Sequence, residues 1–107
     1  MNDTNLENCH YAAEISDLED REPYPVDIAG EEIALVLMDD NIFAINNICT
    51  HEYACLSDGY IEDDRIVCPL HLAEFEVRTG AVVEDPAEED LQTYPVVVSE
   101  GKVYVQV

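Results

Sequence analysis

Hydrophobic and polar residues alternate with a period of two through much of the chain, and this pattern predicts β-strands rather than helices. The clearest case is at the carboxyl end, where Val103, Val105 and Val107 alternate with Lys102, Tyr104 and Gln106. Such alternation indicates a strand with one buried face. Further strands are predicted at Cys9–Ile15, Tyr24–Ile28, Ile33–Met38, Ile42–Ile45, Gly59–Glu62, Arg65–Val67, Phe75–Val77 and Tyr94–Ser99.

Short polar turns join these segments in pairs. Asp39-Asp40-Asn41, Asp63-Asp64 and Glu100-Gly101 each lie between two predicted strands, which is typical of β-hairpins. Helix is expected only as single turns near residues 16–20 and 88–91. The sequence therefore predicts an all-β, antiparallel sandwich or small barrel.

The length of the chain indicates one domain, and its charge disfavours some kinds of binding partner. A chain of 107 residues with 48% hydrophobic content is sufficient for one compact domain, spanning residues 1–107. Four basic and 25 acidic side chains give a formal charge of −21. Such a field repels phosphate, so we expect neither nucleic acid nor anionic membrane as a partner, whereas basic protein surfaces would be attracted.

The amino-terminal residues show no secretory pattern, and no stretch approaches the ~18 apolar residues of a membrane helix. We therefore expect a soluble, cytoplasmic protein. In that compartment its four cysteines are expected to be thiols or metal ligands rather than disulfides.

Two short segments carry candidate chemistry: Cys49-Thr50-His51 and Cys68-Pro69-Leu70-His71, separated by residues 52–67. Each offers one thiolate and one imidazole, and the hairpin between them would bring both loops side by side. A single zinc could accept two cysteines and two histidines. Because each loop mixes the two ligand types, a [2Fe–2S] cluster with cysteines on one iron and histidines on the other fits better.

With these motifs the chain resembles the Rieske-type ferredoxins of aromatic-ring-hydroxylating dioxygenase systems. The resemblance extends to Phe75 and Arg78-Thr79-Gly80 after the second loop, and to Tyr94-Pro95-Val96 and Tyr24-Pro25-Val26. It implies an antiparallel β-sandwich with a small cluster-binding subdomain at about residues 46–75. It also implies one [2Fe–2S] cluster per chain, held by Cys49, His51, Cys68 and His71.

The chain also resembles the high-potential Rieske proteins, but it differs from them near the cluster loops. Those proteins have a disulfide between the cluster loops, whereas Leu70 stands at one of its positions here and Cys55 is expected to be a buried thiol. Ala73 and Phe75 occupy positions where those proteins have hydroxyl donors. Together with Glu52 and Glu74, these residues predict a reduction potential of about −150 mV, at the lower end of the Rieske range.

The resemblance implies a monomeric one-electron carrier rather than an enzyme. Its partners would be an NAD(P)H-dependent flavoprotein reductase and a terminal aromatic-ring-hydroxylating oxygenase. The oxygenase role itself is disfavoured, because a mononuclear iron site needs two further histidines and only His10 remains of three. A small Rieske-like subunit of a nitrite reductase-type complex and a zinc-stabilised binding module are the alternatives.

Overall fold

The computed structural model describes residues 9–49, 54–69, 73–84 and 89–107. Within these ranges the chain forms eleven strands and two short 3₁₀ turns, at Ile15–Asp17 and Leu56–Asp58. The strands are β1 (Cys9–Glu14), β2 (Tyr24–Ile28), β3 (Glu31–Met38), β4 (Asn41–Asn46), β5 (Tyr60–Glu62), β6 (Arg65–Val67), β7 (Glu74–Glu76), β8 (Val82–Glu84), β9 (Thr93–Tyr94), β10 (Val96–Ser99) and β11 (Lys102–Gln106).

The strands form three sheets, and every pair of neighbouring strands is antiparallel. The first sheet has the order β1-β11-β10, the central sheet β2-β3-β4-β9 and the third sheet β5-β6-β7-β8. One hydrophobic core contains side chains of the first and central sheets, and a second core contains side chains of the central and third sheets. The predicted all-β antiparallel fold is therefore confirmed.

Strand β3 explains how the central sheet can be buried on both faces. Ile33 and Leu35 lie in the first core, whereas Ala34, Val36 and Met38 lie in the second. Successive side chains of a strand point to opposite faces, so a strand between two cores must be apolar at every position. The uninterrupted run Ile33–Met38 meets this requirement.

The predicted strand at Tyr94–Ser99 is divided in the structure. Thr93 and Tyr94 pair with β4 of the central sheet, whereas Val96–Ser99 pairs with β11 of the first sheet. Pro95 lies between them and has no N–H to donate to a ladder. Its carbonyl accepts a hydrogen bond from the N–H of Gln106 at 3.0 Å, so the chain changes sheets at this proline.

Smaller differences concern short elements. Strand β8 and the 3₁₀ turn at Leu56–Asp58 have no counterpart in the predicted pattern. The predicted helical turn at 16–20 is a 3₁₀ turn at Ile15–Asp17, and residues 89–91 of the other one are not helical.

We predict that Leu35→Ala lowers the free energy of unfolding by about 3 kcal/mol, because it leaves a cavity in the first core. Leu35 is fully buried, whereas Val98 on β10 is 48% exposed. Val98→Ala is the control and should change stability by no more than about 0.5 kcal/mol. Urea denaturation of both variants measures the difference, and equal losses would contradict the two-core arrangement.

Candidate metal centre

The two cysteines of the predicted motifs follow strands of adjacent sheets. Cys49 lies three residues after the end of β4, and Cys68 directly follows β6. Both are buried, and both belong to the second core. The fold thus brings together the two cysteines that the sequence singles out.

Each cysteine begins a loop that is closed in the same way. The Cys49 N–H donates to the Ala54 carbonyl at 2.9 Å, and the Cys68 N–H donates to the Ala73 carbonyl at 2.7 Å. Each closure encloses four residues, 50–53 in one loop and 69–72 in the other. We call residues 49–54 the Cys49 loop and residues 68–73 the Cys68 loop.

The predicted ligands His51 and His71 belong to these loops by sequence, but both lie outside the described residues. Their assignment as ligands therefore stays a prediction. The described residues alone contain no group of three potential metal ligands. The sequence contains one sign of this equal spacing that the motif search missed: an alanine stands five residues after both Cys49 and Cys68.

The base of the Cys68 loop continues a sheet. Val67 pairs with Glu74 and Ile66 with Phe75 in the β6–β7 ladder, so the loop is the tip of a hairpin. Ile66, Val67 and Phe75 are all buried. Strand pairing on both sides of the loop thus fixes where Cys68 enters the core.

The base of the Cys49 loop lies outside the sheets. Ile48 and Cys55 form an isolated antiparallel bridge, and the Leu56 N–H donates to the Asn47 carbonyl at 2.7 Å. The Ile48 N–H also donates to the Asn46 side-chain oxygen at 2.8 Å. Side-chain hydrogen bonds therefore help to close the base of this loop, whereas the base of the Cys68 loop is closed by strand pairing.

Asn46 connects this region to the central sheet. Its Nδ2 donates to the Tyr94 hydroxyl at 3.1 Å, and that hydroxyl lies 3.2 Å from Glu31 Oε1, to which it donates. Burial, opposed in part by the Asn46 hydrogen bond and reinforced by Glu31, raises the pKa of Tyr94. The phenol thus stays protonated at neutral pH and can act as the donor to Glu31.

Gly59 brings the two loops into direct proximity. It follows the 3₁₀ turn that leaves the Cys49 loop, and a Cβ at this position would lie 1.9 Å from the Val67 carbonyl oxygen. Val67 immediately precedes Cys68. A side chain at position 59 would therefore displace the backbone that places Cys68.

Cys9, Cys55 and His10 are assigned no ligand role, and of these only Cys55 lies at the base of a cysteine loop. None of the four cysteines, all of which lie in described segments, forms a disulfide. Cys9 and the exposed His10 lie on β1 of the first sheet. Cys55 is only partly buried, less than expected, and burial together with the carboxylates of Glu32 and Asp58 raises the pKa of its thiol.

The four basic side chains are all engaged in ion pairs. Arg78 Nη2 lies 2.7 Å from Asp39 Oδ2, and Arg21 Nη2 lies 3.2 Å from Asp39 Oδ1. Both arginines also approach Asp64, at 3.8 Å. These contacts join the β3–β4 turn to the β5–β6 turn, at the ends of β4 and β6 that are remote from the cysteines.

Lys102 Nζ lies 4.0 Å from Glu14 Oε1 and Arg65 Nη1 lies 2.9 Å from Glu74 Oε1. The Glu74 oxygen is buried, and its contact with Arg65 lacks hydrogen-bond alignment. Arg65 nevertheless offsets the negative charge that Glu74 was expected to place beside the Cys68 loop. Glu52, the other expected contributor, lies outside the described residues.

The cysteine end of the molecule is consequently acidic. No lysine or arginine occurs between Arg21 and Arg65 or between Arg78 and Lys102. The segments that surround the loop bases contribute Glu31, Glu32 and Asp58 instead. A basic surface of a partner would be attracted to this end.

The donor set fits a thiophilic metal group. Two thiols lie among Leu56, Ile66, Ala73 and Phe75 in an apolar core, where unpaired thiolates would be costly. Metal coordination would neutralise that charge, and thiolate and imidazole suit both zinc and iron–sulfur clusters. Cys49 and Cys68 are the described residues that would hold such a group.

We predict that Gly59→Ala lowers the metal content of the purified protein and destabilises it by about 2 kcal/mol, because the methyl group meets the Val67 carbonyl. Gly101→Ala is the control. Gly101 has φ +78° with open space around its Cβ position, so alanine there costs roughly 1 kcal/mol through backbone strain alone. Metal analysis should show a loss of metal only in Gly59→Ala. Urea denaturation should show that both variants are less stable than wild type, with the larger loss in Gly59→Ala.

The chain matches the family model described as "Rieske [2Fe-2S] domain" over residues 8–95. It is 38% identical over 95 residues to the ferredoxin component of the naphthalene 1,2-dioxygenase/salicylate 5-hydroxylase systems of Ralstonia sp. That alignment covers 89% of this chain and 91% of the relative.

Two solved structures extend the similarity to the fold. The ferredoxin of Sphingomonas yanoikuyae B1 superposes with a TM-score of 0.89 and 32% identity, covering 94% of this chain and 99% of that one. A chain in the complex of reduced oxygenase and oxidised ferredoxin of carbazole 1,9a-dioxygenase gives a TM-score of 0.87 and 32% identity, with 94% of both chains covered. A [2Fe–2S] cluster rather than zinc is therefore the cofactor, and the chain belongs to the Rieske [2Fe-2S] domain family.

Proposed function

We propose that the protein is a one-electron carrier that delivers electrons to a terminal aromatic-ring-hydroxylating oxygenase. The observation that carries this proposal is the pair of matched loops, each of which begins with a buried cysteine and contains one histidine by sequence. Relatives named as ferredoxin components of dioxygenase systems support the same role. The protein is thus a component of an oxygenase system and not itself the catalyst.

Four residues divide between the two irons in this proposal. Cys49 and Cys68 would hold one iron, and His51 and His71 would hold the other. When bound, the cluster takes up and releases a single electron. The protein supplies the apolar surroundings of the thiolates, which exclude water, and the two loop closures, which fix the cysteine backbone. We place this cluster-binding part at about residues 46–75, on a sheet that continues to Glu84.

The surroundings of the Cys68 loop favour a low reduction potential. Ala73 and Phe75 are fully buried and carry no hydroxyl, so neither side chain can donate a hydrogen bond to a sulfur. Fewer donors leave the added electron less stabilised. Arg65 opposes this trend by offsetting Glu74, and we keep the expectation of about −150 mV.

The partners follow from the carrier role and from charge. An oxygenase is supported by the carbazole dioxygenase complex among the similar structures. We further propose that an NAD(P)H-dependent flavoprotein reductase supplies the electron, and that the carrier is a cytoplasmic monomer. No helix in the described segments has the length and apolar character needed to cross a membrane. The acidic cysteine end would attract basic docking surfaces on both partners.

We predict that the purified protein is brown and contains two irons and two sulfides per chain, and that Cys68→Ser abolishes both. Cys55→Ser is the matched control, since its thiol is close in sequence but is assigned no ligand role. It should retain the metal content and, after reduction by dithionite, the low average g value of a histidine-ligated cluster in electron paramagnetic resonance. A colourless wild-type protein that contains one zinc would contradict the carrier proposal.

We predict that electron delivery to the oxygenase slows steeply as ionic strength rises, because screening weakens attraction between the acidic end and a basic partner. The second-order rate constant can be measured by stopped-flow absorbance with the reduced carrier in excess. Replacing Glu31 and Glu32 by glutamine should flatten the salt dependence more than replacing Glu19 and Glu22 by glutamine. A rate that does not vary with salt would contradict electrostatic steering.

A further inference from the structure

Asn47 stands out among the polar side chains of the described residues. It is 3% exposed, and it is the one polar residue in the buried class there. A buried amide is tolerated only where its donors and acceptors find partners. The position is therefore one where a specific set of hydrogen bonds outweighs the cost of removing an amide from water.

Both backbone groups of Asn47 are used. Its N–H donates to the Glu32 carbonyl at 2.8 Å, and its carbonyl accepts from the Leu56 N–H at 2.7 Å. The first bond ties it to β3 of the central sheet. The second ties it to the 3₁₀ turn that leaves the Cys49 loop.

The side chain of Asn47 binds the next residue of that turn from both ends. Oδ1 accepts a hydrogen bond from the Ser57 N–H at 2.7 Å, and Nδ2 donates to Ser57 Oγ at 3.0 Å. Asn47 thus clamps the segment before Cys49 to the segment after Ala54.

Three successive contacts close the Cys49 loop from tip to base. Cys49 is joined to Ala54, Ile48 to Cys55, and Asn47 to Leu56 and Ser57. The Cys68 loop is closed in the same order, but there the contacts below Cys68 belong to the β6–β7 ladder. The Asn47 side chain takes the place that the sheet occupies in the other loop.

The clamp also bears on the position of Cys68. Ser57 belongs to the turn that continues to Gly59, and Gly59 lies against the Val67 carbonyl with no space for a side chain. A shift of the turn would therefore be transmitted to the residue that precedes Cys68. Asn47 fixes the bases of both loops relative to each other.

We propose that Asn47 is a positioning residue for the cluster, acting through Ser57 to set the separation of the two cysteine loops. This inference rests on the proposed ligand role of Cys49 and Cys68. Residues that orient metal ligands without touching the metal typically affect metal affinity by about 10–100-fold when replaced. Asn47→Ala removes both side-chain bonds and leaves the Ser57 N–H without its acceptor.

The test compares the rate of cluster loss to excess EDTA, followed by visible absorbance, in wild-type protein and variants. Val103→Ala is the control, because Val103 is fully buried in the first core and its truncation destabilises the protein without touching the loops. Urea is adjusted so that both variants have the same fraction folded. Under these conditions Asn47→Ala should lose its cluster about 10-fold faster than Val103→Ala.

Two milder variants separate positioning from simple stability. Asn47→Asp keeps an acceptor for the Ser57 N–H but removes the Nδ2 donor and buries a charge, so its rate of cluster loss should fall between those of wild type and Asn47→Ala. Ser57→Ala removes only the Nδ2–Oγ bond and should give an intermediate rate. The g values of the reduced cluster should shift in Asn47→Ala and stay unchanged in Val103→Ala.

The outcomes distinguish this inference from the proposed function. Wild-type protein without a [2Fe–2S] cluster would overturn the carrier proposal. Wild-type protein with a normal cluster, together with an Asn47→Ala variant no faster than Val103→Ala, would overturn only the role of Asn47. If Asn47→Ala does not fold, Ser57→Ala decides the question by the same comparison.

Discussion

The structure depends on a central sheet that is buried on both faces. Because β3 contributes to two cores, it fixes the first sheet on one side and the third sheet on the other. Cys49 follows a strand of the central sheet and Cys68 follows a strand of the third, so both thiols lie in the core between these sheets. A carrier has to keep its ligands in place when the charge of the cluster changes. Close packing on both sides of β4 meets that need, because packed interiors resist deformation.

The loops themselves are held by backbone hydrogen bonds rather than by packing alone. Each is closed by a cysteine N–H and the carbonyl of an alanine five residues later. The two loops differ below the closure, where one continues into a sheet and the other depends on Asn47. The Cys49 loop therefore depends on side-chain hydrogen bonds where the Cys68 loop has a strand ladder.

The basic side chains pair with carboxylates at particular places in the fold. All four basic side chains form ion pairs, and Arg21 and Arg78 join the turns at the end remote from the cysteines. There they offset repulsion between Asp39 and Asp64, two carboxylates that the hairpin turns bring together. Glu31, Glu32 and Asp58 lie near the base of the Cys49 loop, whereas Arg65 offsets Glu74 beside the Cys68 loop.

The local pattern was a good guide wherever an element is long or has a distinctive turn. The hairpin over Ile33–Ile45 was predicted from its apolar run and from Asp39-Asp40-Asn41, whose two aspartates adopt positive φ angles of 54° and 65°. Strand β8 escaped prediction, although the three-residue strands β5, β6 and β7 were predicted, and Pro95 was not recognised as the point where the chain changes sheets. The motif spacing singled out Cys49 and Cys68, which share the second core, and their role as ligands stays a prediction; Cys55 is less buried than expected. At Pro95 a contact between distant segments decided the outcome, because Thr93 and Tyr94 pair with β4.

By itself the sequence determined the strand content, the two mixed cysteine–histidine segments and the scarcity of basic residues, because each of these is a property of neighbouring positions. Only the tertiary structure decided that a continuous apolar strand faces two cores, and that Arg65 offsets Glu74. It also decided that Asn47 reaches across the Cys49 loop to Ser57 and that Gly59 must remain without a side chain beside Val67. These features depend on hydrogen bonds and close approaches between segments that are separated along the chain. Local periodicity contains no information about such contacts, which arise only when the sheets pack together.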